Sequence, residues 1–244
     1  MEGYSTRREV WDRDGVLVAQ NQLDEGEIRR IGDACDHALQ QMRAQSTAIG
    51  HTTTHISGFL TPEYYADRPD ALQHLVQFAS SAKVVMLLQE LGFTGDELLT
   101  LRDVQYFHEP SARNYDGHWH RDGDDAVLST DNPRPRFPLL RFRVALAPDD
   151  HLEYVPGSHN RPDTPEERQR LKGPARSDKL ESGDTRIHLN PGDICLFDAW
   201  GIHRARYRHD RIRRTLDLIF GFGPPKSIDR DALRDLLYAA QRKG

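Results

Sequence analysis

The 244-residue chain is 37% hydrophobic and carries a formal net charge of -5 at pH 7. That length suffices for one large domain with its own core, the acidic balance argues against general nucleic-acid binding, and no apolar run approaches membrane-spanning length. The first residues pass straight into charged sequence without a signal-peptide core, and Cys35 and Cys195 fall in a predicted helix and a predicted strand, so buried thiols in a reducing cytoplasm are expected rather than a disulfide framework.

In chain order, Gly15 to Ala19 reads as a short strand. Asp24 can cap a helix whose apolar positions, Ile28, Ile31, Cys35, Leu39 and Met42, recur at helical spacing, and Glu27 stands where a capping box places it. Gly50 to Tyr65 lacks periodicity and reads as loop. Leu72, Leu75 and Phe78 mark a second helix, and Val84, Val85, Leu88 and Leu91 a third, stopped by Gly92. Residues 1–98 are therefore expected to be mostly helical support. From Leu99 the period becomes two. Leu99 to Phe107, Leu139 to Ala147, Leu152 to Val155, Ile187 to Leu189, Ile194 to Phe197 and Arg213 to Phe222 read as strands. Pro156-Gly157-Ser158 and Pro191-Gly192-Asp193 are turn signals. The polar insert 160–186 has a helix start at Thr164-Pro165-Glu166-Glu167 and reads as a substrate lid or an ordinary exposed loop. Leu233, Leu236 and Leu237 place a last helix within 223–244. With no repeats and no linker, the expectation is a single domain over 1–244. It is mainly β with flanking helices: a jelly-roll core over 99–222, buttressed by the N-terminal helices.

The chemistry concentrates in His118-Trp119-His120-Arg121-Asp122-Gly123. On an extended strand, residues i and i+2 share a face, so His120 and Asp122 can reach one metal ion. A distant imidazole, best supplied by His203, completes a two-His-one-carboxylate set that leaves adjacent coordination positions open, as non-heme Fe(II) oxygen chemistry requires. His118 shares the parity and is a rival ligand; His209 is the rival to His203, and His159 reads as a turn residue. Arg214 heads the row Leu216, Leu218, Phe220, which is otherwise apolar. A buried guanidinium needs an anion. Its partner is either a protein carboxylate or the distal carboxylate of a small dicarboxylic acid, which it would match bidentately. Arg213 is next in line for that role. Arg141 and Arg143 share a strand face, where they meet either an anionic substrate or a surface salt-bridge network. His51 and His55 read as part of a loop over the site.

These pieces, in order, resemble the phytanoyl-CoA dioxygenase family of Fe(II)/2-oxoglutarate oxygenases. The resemblance runs through Asp14-Gly15-Val16 before the first long helix, Trp119-His120-Arg121-Asp122, Pro156-Gly157-Ser158-His159, Pro191-Gly192-Asp193 leading to His203, and Arg214 eleven residues further on. It implies a double-stranded β-helix with His120, Asp122 and His203 on iron and the C5 carboxylate of 2-oxoglutarate on Arg214. It places His108, where many members have a lysine, near the cosubstrate. Three features depart from the pattern: His108 itself, the shortened stretch Asp149 to Glu153, and Arg208 in place of an asparagine. The cofactors implied are Fe(II), 2-oxoglutarate and O2, and the partner a small organic molecule, with neither nucleic acid nor membrane involved. The reaction implied is oxidation of an unactivated C–H bond, hydroxylation by default, in specialised metabolism. Asp122 argues against halogenation, since halogenating relatives have a small residue there. The alternatives are epimerisation, cyclisation or desaturation on the same centre and, more remotely, a jelly-roll binding protein without catalysis.

Overall fold

The computed structural model describes residues 6–45, 58–93, 100–108, 114–122, 139–173, 179–180 and 183–221. His51, His55, Phe222 and the helix expected within 223–244 lie outside them. Thr6 caps α1 (Arg7–Asp14) through a capping box with Glu9, an element the periodicity does not announce because only Trp11 of it is buried. After β1 (Val16–Ala19) comes α2 (Glu25–Gln45). Asp24 and Glu27 cap its start reciprocally, at 2.7 and 2.9 Å, and Ile31, Cys35, Leu39 and Met42 are buried on one stripe. The expected loop ends in a 3-10 turn at Pro62–Tyr65. It is followed by α3 (Pro69–Ala79) and α4 (Ala82–Glu90). Within Pro69–Glu90 one 18-residue window reaches a mean hydropathy of 1.2, which passes for a membrane span by length and composition only. In the fold this stretch breaks at Ser80–Ser81 into two helices, and Leu72, Leu75, Val76, Val84 and Leu87 are core residues.

The β region forms two sheets. The five-stranded sheet has the order β1-β7-β4-β9-β2, with β2 (Thr100–Phe107), β4 (Leu140–Ala145), β7 (Ile194–Asp198) and β9 (Thr215–Gly221), all neighbours antiparallel. The four-stranded sheet has the order β3-β8-β5-β6, with β3 (Tyr115–Asp116), β5 (Leu152–Tyr154), β6 (Thr185–Arg186) and β8 (His203–Tyr207). Between β5 and β6, Thr164 caps the short α5 (Pro165–Lys172) with Glu167 as its capping-box partner. The strand expected at Ile187 to Leu189 reduces to β6 just before it and a single bridge from Leu189 to Asp149. This is the expected jelly-roll architecture with helices on one side.

The two faces of the five-stranded sheet differ in a way that decides the site. Phe142, Val144, Leu216, Leu218 and Phe220 pack with Trp11 and the buried residues of α2, α3 and α4 in one large cluster. The opposite parity, Arg141, Arg143, Thr215 and Asp217, faces the second sheet, with a smaller cluster of Ala145, Leu152, Tyr154, Cys195 and Phe197 filling the space between. The most apolar row of β9 therefore faces the helices, and the polar row faces the interior between the sheets. Both cysteines are buried and free.

Candidate metal centre

His120 and His203 are neighbours in the backbone itself. Each amide N–H donates to the other residue's carbonyl at 3.0 Å, forming an antiparallel bridge that sets the ring centroids 4.4 Å apart. The Asp122 amide donates to the Ala199 carbonyl at 2.8 Å, tying the third residue to the same β7–β8 connection. The donor atoms of His120, Asp122 and His203 all lie within 4.8 Å of one another. One carboxylate oxygen, Asp122 Oδ1, faces both Nε2 atoms, at 3.4 Å from His120 and 3.7 Å from His203.

The surroundings fix this arrangement. His120 Nδ1 bonds the His118 carbonyl at 2.8 Å, and His203 Nδ1 bonds the Gly201 carbonyl at 2.9 Å. An Nδ1 that donates to a carbonyl leaves the Nε2 lone pair aimed at the centre, the usual orientation of a metal-binding imidazole. Burial pushes the His203 imidazole down to about 3, which keeps it neutral at pH 7. Although burial opposes it, the His120 bond, His203 and Arg141 together hold the Asp122 carboxyl far below the usual carboxylate range. Arg141 Nε donates to the other oxygen, Asp122 Oδ2, at 2.9 Å, and its Nη1 donates to Gln105 Oε1 at 2.7 Å. One carboxylate oxygen is thus clamped and the other is presented. The His203 side chain is 8% exposed and the His120 side chain 44%, so the site opens on the His120 side.

The rivals fall elsewhere. His118 supplies its carbonyl to His120. His209 bonds the Asn114 side chain on the surface. His159 is buried in a 3-10 turn beside Trp11.

Arg121, between the two predicted ligands, has a role the sequence did not disclose. Its side chain is 1% exposed. It donates to Asp163 Oδ1 at 2.6 and 3.0 Å, to the Ser158 carbonyl at 2.8 Å, and to the Trp200 carbonyl. It therefore pins the metal-bearing segment to the residues before α5 and to the turn before β8. Removing one partner of a buried, hydrogen-bonded ion pair costs about 3–5 kcal/mol. Arg121→Met is expected to lower unfolding free energy by roughly that amount in urea titration; a loss under about 0.5 kcal/mol would remove Arg121 from the account.

The two residues expected to hold the cosubstrate lie on the wrong side of the sheet. Arg214 shares the parity of Leu216 and points to the helices. Its Nη2 pairs with Asp36 of α2 at 2.6 Å and its Nε donates to the Tyr106 hydroxyl at 3.3 Å. A side chain added at Gly32 of α2 would meet this guanidinium at 2.9 Å. His108 joins the same group, 3.7 Å from Asp36. Arg214 thus has the protein carboxylate that was one of its two expected partners. The reason is parity: the apolar row that Arg214 heads packs against the helices, so Arg214 faces them too.

Arg213, not Arg214, lines the cavity. A space of about 250 Å³ is bounded by His120, Asp122 and His203 and also by Phe107, Arg143 and Arg213. Arg213 is 2% exposed, and none of its three guanidinium nitrogens has a hydrogen-bond partner among the described residues. The Asp149 carboxylate is 3.4 Å from Nε, and the Phe107 ring lies 4.3 Å beneath the guanidinium carbon. Two residues on, Thr215 is fully buried and its hydroxyl also lacks a partner. Such groups are expensive to bury unless a ligand completes them. The available signal was the polar parity Arg213, Thr215, Asp217. Arg141 and Arg143, the pair with two expected roles, line this cavity rather than the surface.

Comparison with known proteins adds a family and a set of folds. The family model for phytanoyl-CoA dioxygenase (PhyH) matches residues 11–215. No curated protein sequence matches. The structure of AviO1 from Streptomyces viridochromogenes Tue57 superposes with a TM-score of 0.65 at 17% identity, covering 91% of this chain and 99% of that one. HygX from Streptomyces hygroscopicus, solved with nickel and 2-oxoglutarate bound, gives 0.60 at 16% identity over 88% and 85%. The non-heme alpha ketoglutarate dependent epimerase SnoN from nogalamycin biosynthesis gives 0.58 at 19% identity over 93% and 84%. At these identities the superpositions establish a shared fold.

Proposed function

The chain belongs to the phytanoyl-CoA dioxygenase family, and from that membership and the site geometry we propose that it is an Fe(II)/2-oxoglutarate-dependent oxygenase that oxidises an unactivated C–H bond of a small organic molecule, with hydroxylation as the default outcome. The observation that carries this reading is the pairing, in one cavity, of a converging His-Asp-His set with a buried guanidinium that has no hydrogen-bond partner. Two imidazoles and one carboxylate oxygen are the donor set that suits non-heme Fe(II) with open positions.

In this proposal His120, Asp122 and His203 hold the iron, and Arg213 takes the role expected of Arg214. Its Nη edge and the Thr215 hydroxyl receive the C5 carboxylate of 2-oxoglutarate, a charge-assisted match that suits a planar fork. Bound Fe(II) and 2-oxoglutarate supply the oxidising power, the cosubstrate being split with O2 to succinate and CO2. The protein's own part is positional. Arg141 holds Asp122 with one oxygen turned to the centre, the two backbone carbonyls hold the imidazoles, and Phe107, Leu152 and Phe197 give the cavity apolar walls. HygX bound to 2-oxoglutarate and the epimerase SnoN share the fold, which is consistent with several reaction outcomes. A substrate from specialised metabolism fits this company.

The test is succinate formation by Fe(II)-reconstituted protein supplied with 2-oxoglutarate, in air and under argon. Oxygen-dependent succinate supports the proposal. Failure of iron-replete, folded protein to bind 2-oxoglutarate contradicts it and favours a binding protein. Once a substrate is found, product mass separates the outcomes, because only hydroxylation leaves a new oxygen in the product.

A further inference from the structure

We infer that Arg143 is a second guanidinium of the same anion subsite, so that the distal carboxylate of the cosubstrate is gripped by two arginines, a selectivity device for dicarboxylic 2-oxo acids. The inference rests on the proposed function above and assigns to it a residue that neither spacing nor family pattern selects.

Arg143 lies on β4 opposite Asp217 of β9, two positions along from the Ala145–Thr215 pair. Thr215 is therefore its diagonal neighbour on the interior face, within reach of a long side chain. Arg143 is 4% exposed. Its Nε and Nη2 donate to the two oxygens of Asp217 at 2.8 and 2.7 Å. This bidentate pair fixes the plane of the guanidinium and leaves Nη1 buried without a hydrogen-bond partner. The Phe107 ring positions both arginines, its centroid lying 5.2 Å from the Arg143 guanidinium carbon and 4.3 Å from that of Arg213. Both guanidiniums line the cavity that contains the metal set.

The two guanidiniums repel each other, and the protein offsets the repulsion asymmetrically. Asp217 is fully hydrogen-bonded to Arg143. Asp149 lies on the Nε side of Arg213 and is turned there by His151, whose backbone N–H donates to its Oδ1 at 2.8 Å and whose ring nitrogen bonds the same oxygen at 2.7 Å. The two carboxylates balance the charge but leave all three guanidinium nitrogens of Arg213, Arg143 Nη1 and the Thr215 hydroxyl without hydrogen-bond partners among the described residues. A single carboxylate accepts at about four lone-pair sites, so it can take hydrogen bonds from several of these donors at once. A purely structural Arg143–Asp217 pair would have no need of the unfilled donors around it.

Selectivity follows from the cost of unfilled donors. A 2-oxo acid without a distal carboxylate leaves both forks unsatisfied, so discrimination exceeds what a single arginine provides. The experiment measures dissociation constants of 2-oxoglutarate and of 2-oxopentanoate, which keeps the chelating end and lacks the distal carboxylate. Both are titrated anaerobically into Fe(II)-loaded protein by visible absorption. The variant is Arg143→Met combined with Asp217→Asn, which removes the buried pair together and strands no carboxylate. The expected result is a rise of about 10- to 100-fold in the 2-oxoglutarate constant, little change for 2-oxopentanoate, and a correspondingly narrower ratio. Asp217→Asn alone breaks the same pair but keeps Arg143, and the ratio is expected to hold or widen. Equal weakening of both ligands in the double variant, or no weakening of either, overturns the inference and leaves the oxygenase reading standing. If the parent protein binds neither acid, or binds both alike, the oxygenase reading and the inference fall together. If the double variant does not fold, Arg143→Lys carries the test: it keeps a cation against Asp217 but removes the fork. The same narrowing is expected, and an unchanged ratio overturns the inference.

Discussion

Arg213→Met is expected to raise the 2-oxoglutarate dissociation constant roughly 10²- to 10³-fold, while Arg214→Met leaves it within about twofold of the parent. The first change removes a 2%-exposed guanidinium whose three nitrogens have no hydrogen-bond partner and whose position bounds the metal cavity. Truncating one side of a buried charged contact costs about 2–5 kcal/mol, a span that includes the stated range. The second change breaks a half-exposed pair with Asp36 on the helix side of the sheet. Pairs of that kind contribute at most about 1 kcal/mol, so Arg214→Met should register in thermal unfolding rather than in cosubstrate binding. The same titration on both variants decides the matter. The reverse pattern, with Arg214→Met weakening binding and Arg213→Met silent, returns the role to the residue that the family interval selected.

Asp122→Ala is expected to abolish metal-dependent turnover, a loss of more than about 10³-fold, and to lower iron retention after gel filtration. Asp122 Oδ1 is the oxygen shared between the two Nε2 atoms, so no other described carboxylate can replace it without moving the bridge between His120 and His203. The substitution also strands Arg141, which donates to Asp122 through two nitrogens. A guanidinium released beside two imidazoles adds repulsion toward a cation on top of the lost ligand. Outer-sphere partners alone change metal affinity about 10- to 100-fold, so loss of the ligand together with its clamp should exceed that range. Stoichiometric iron and parental turnover in Asp122→Ala would remove it from the metal set.

How much of this was legible follows from how each element is made. α2 announces itself because a long helix on a core shows its apolar stripe and its Asp24–Glu27 cap. The strands of the five-stranded sheet announce themselves through β-rich apolar alternation. β8 does not: His203-Arg204-Ala205-Arg206-Tyr207 has no apolar row, because its arginines are satisfied by Glu153 and Asp116 rather than by burial among hydrocarbons. α1 hid behind a single buried tryptophan, although its Thr6–Glu9 capping box was a readable signal. At the site, His120, Asp122 and His203 were readable because strand geometry brings i and i+2 together and the ordered motifs placed the distant histidine. The place of Arg213 on the cavity side is less legible, because one position on a strand changes the face. In this fold the apolar row of β9 faces the helices, and the polar row that Arg213 begins faces the cavity.

The central claim is that His120, Asp122 and His203 hold an iron that 2-oxoglutarate can chelate. The most direct measurement is an anaerobic titration of Fe(II)-loaded protein with 2-oxoglutarate, following the visible metal-to-ligand charge-transfer absorption. A saturable band is expected in the parent and none in His203→Ala. A folded, iron-replete parent that shows no band, or a His203→Ala variant that keeps it, would rule out iron on these three residues.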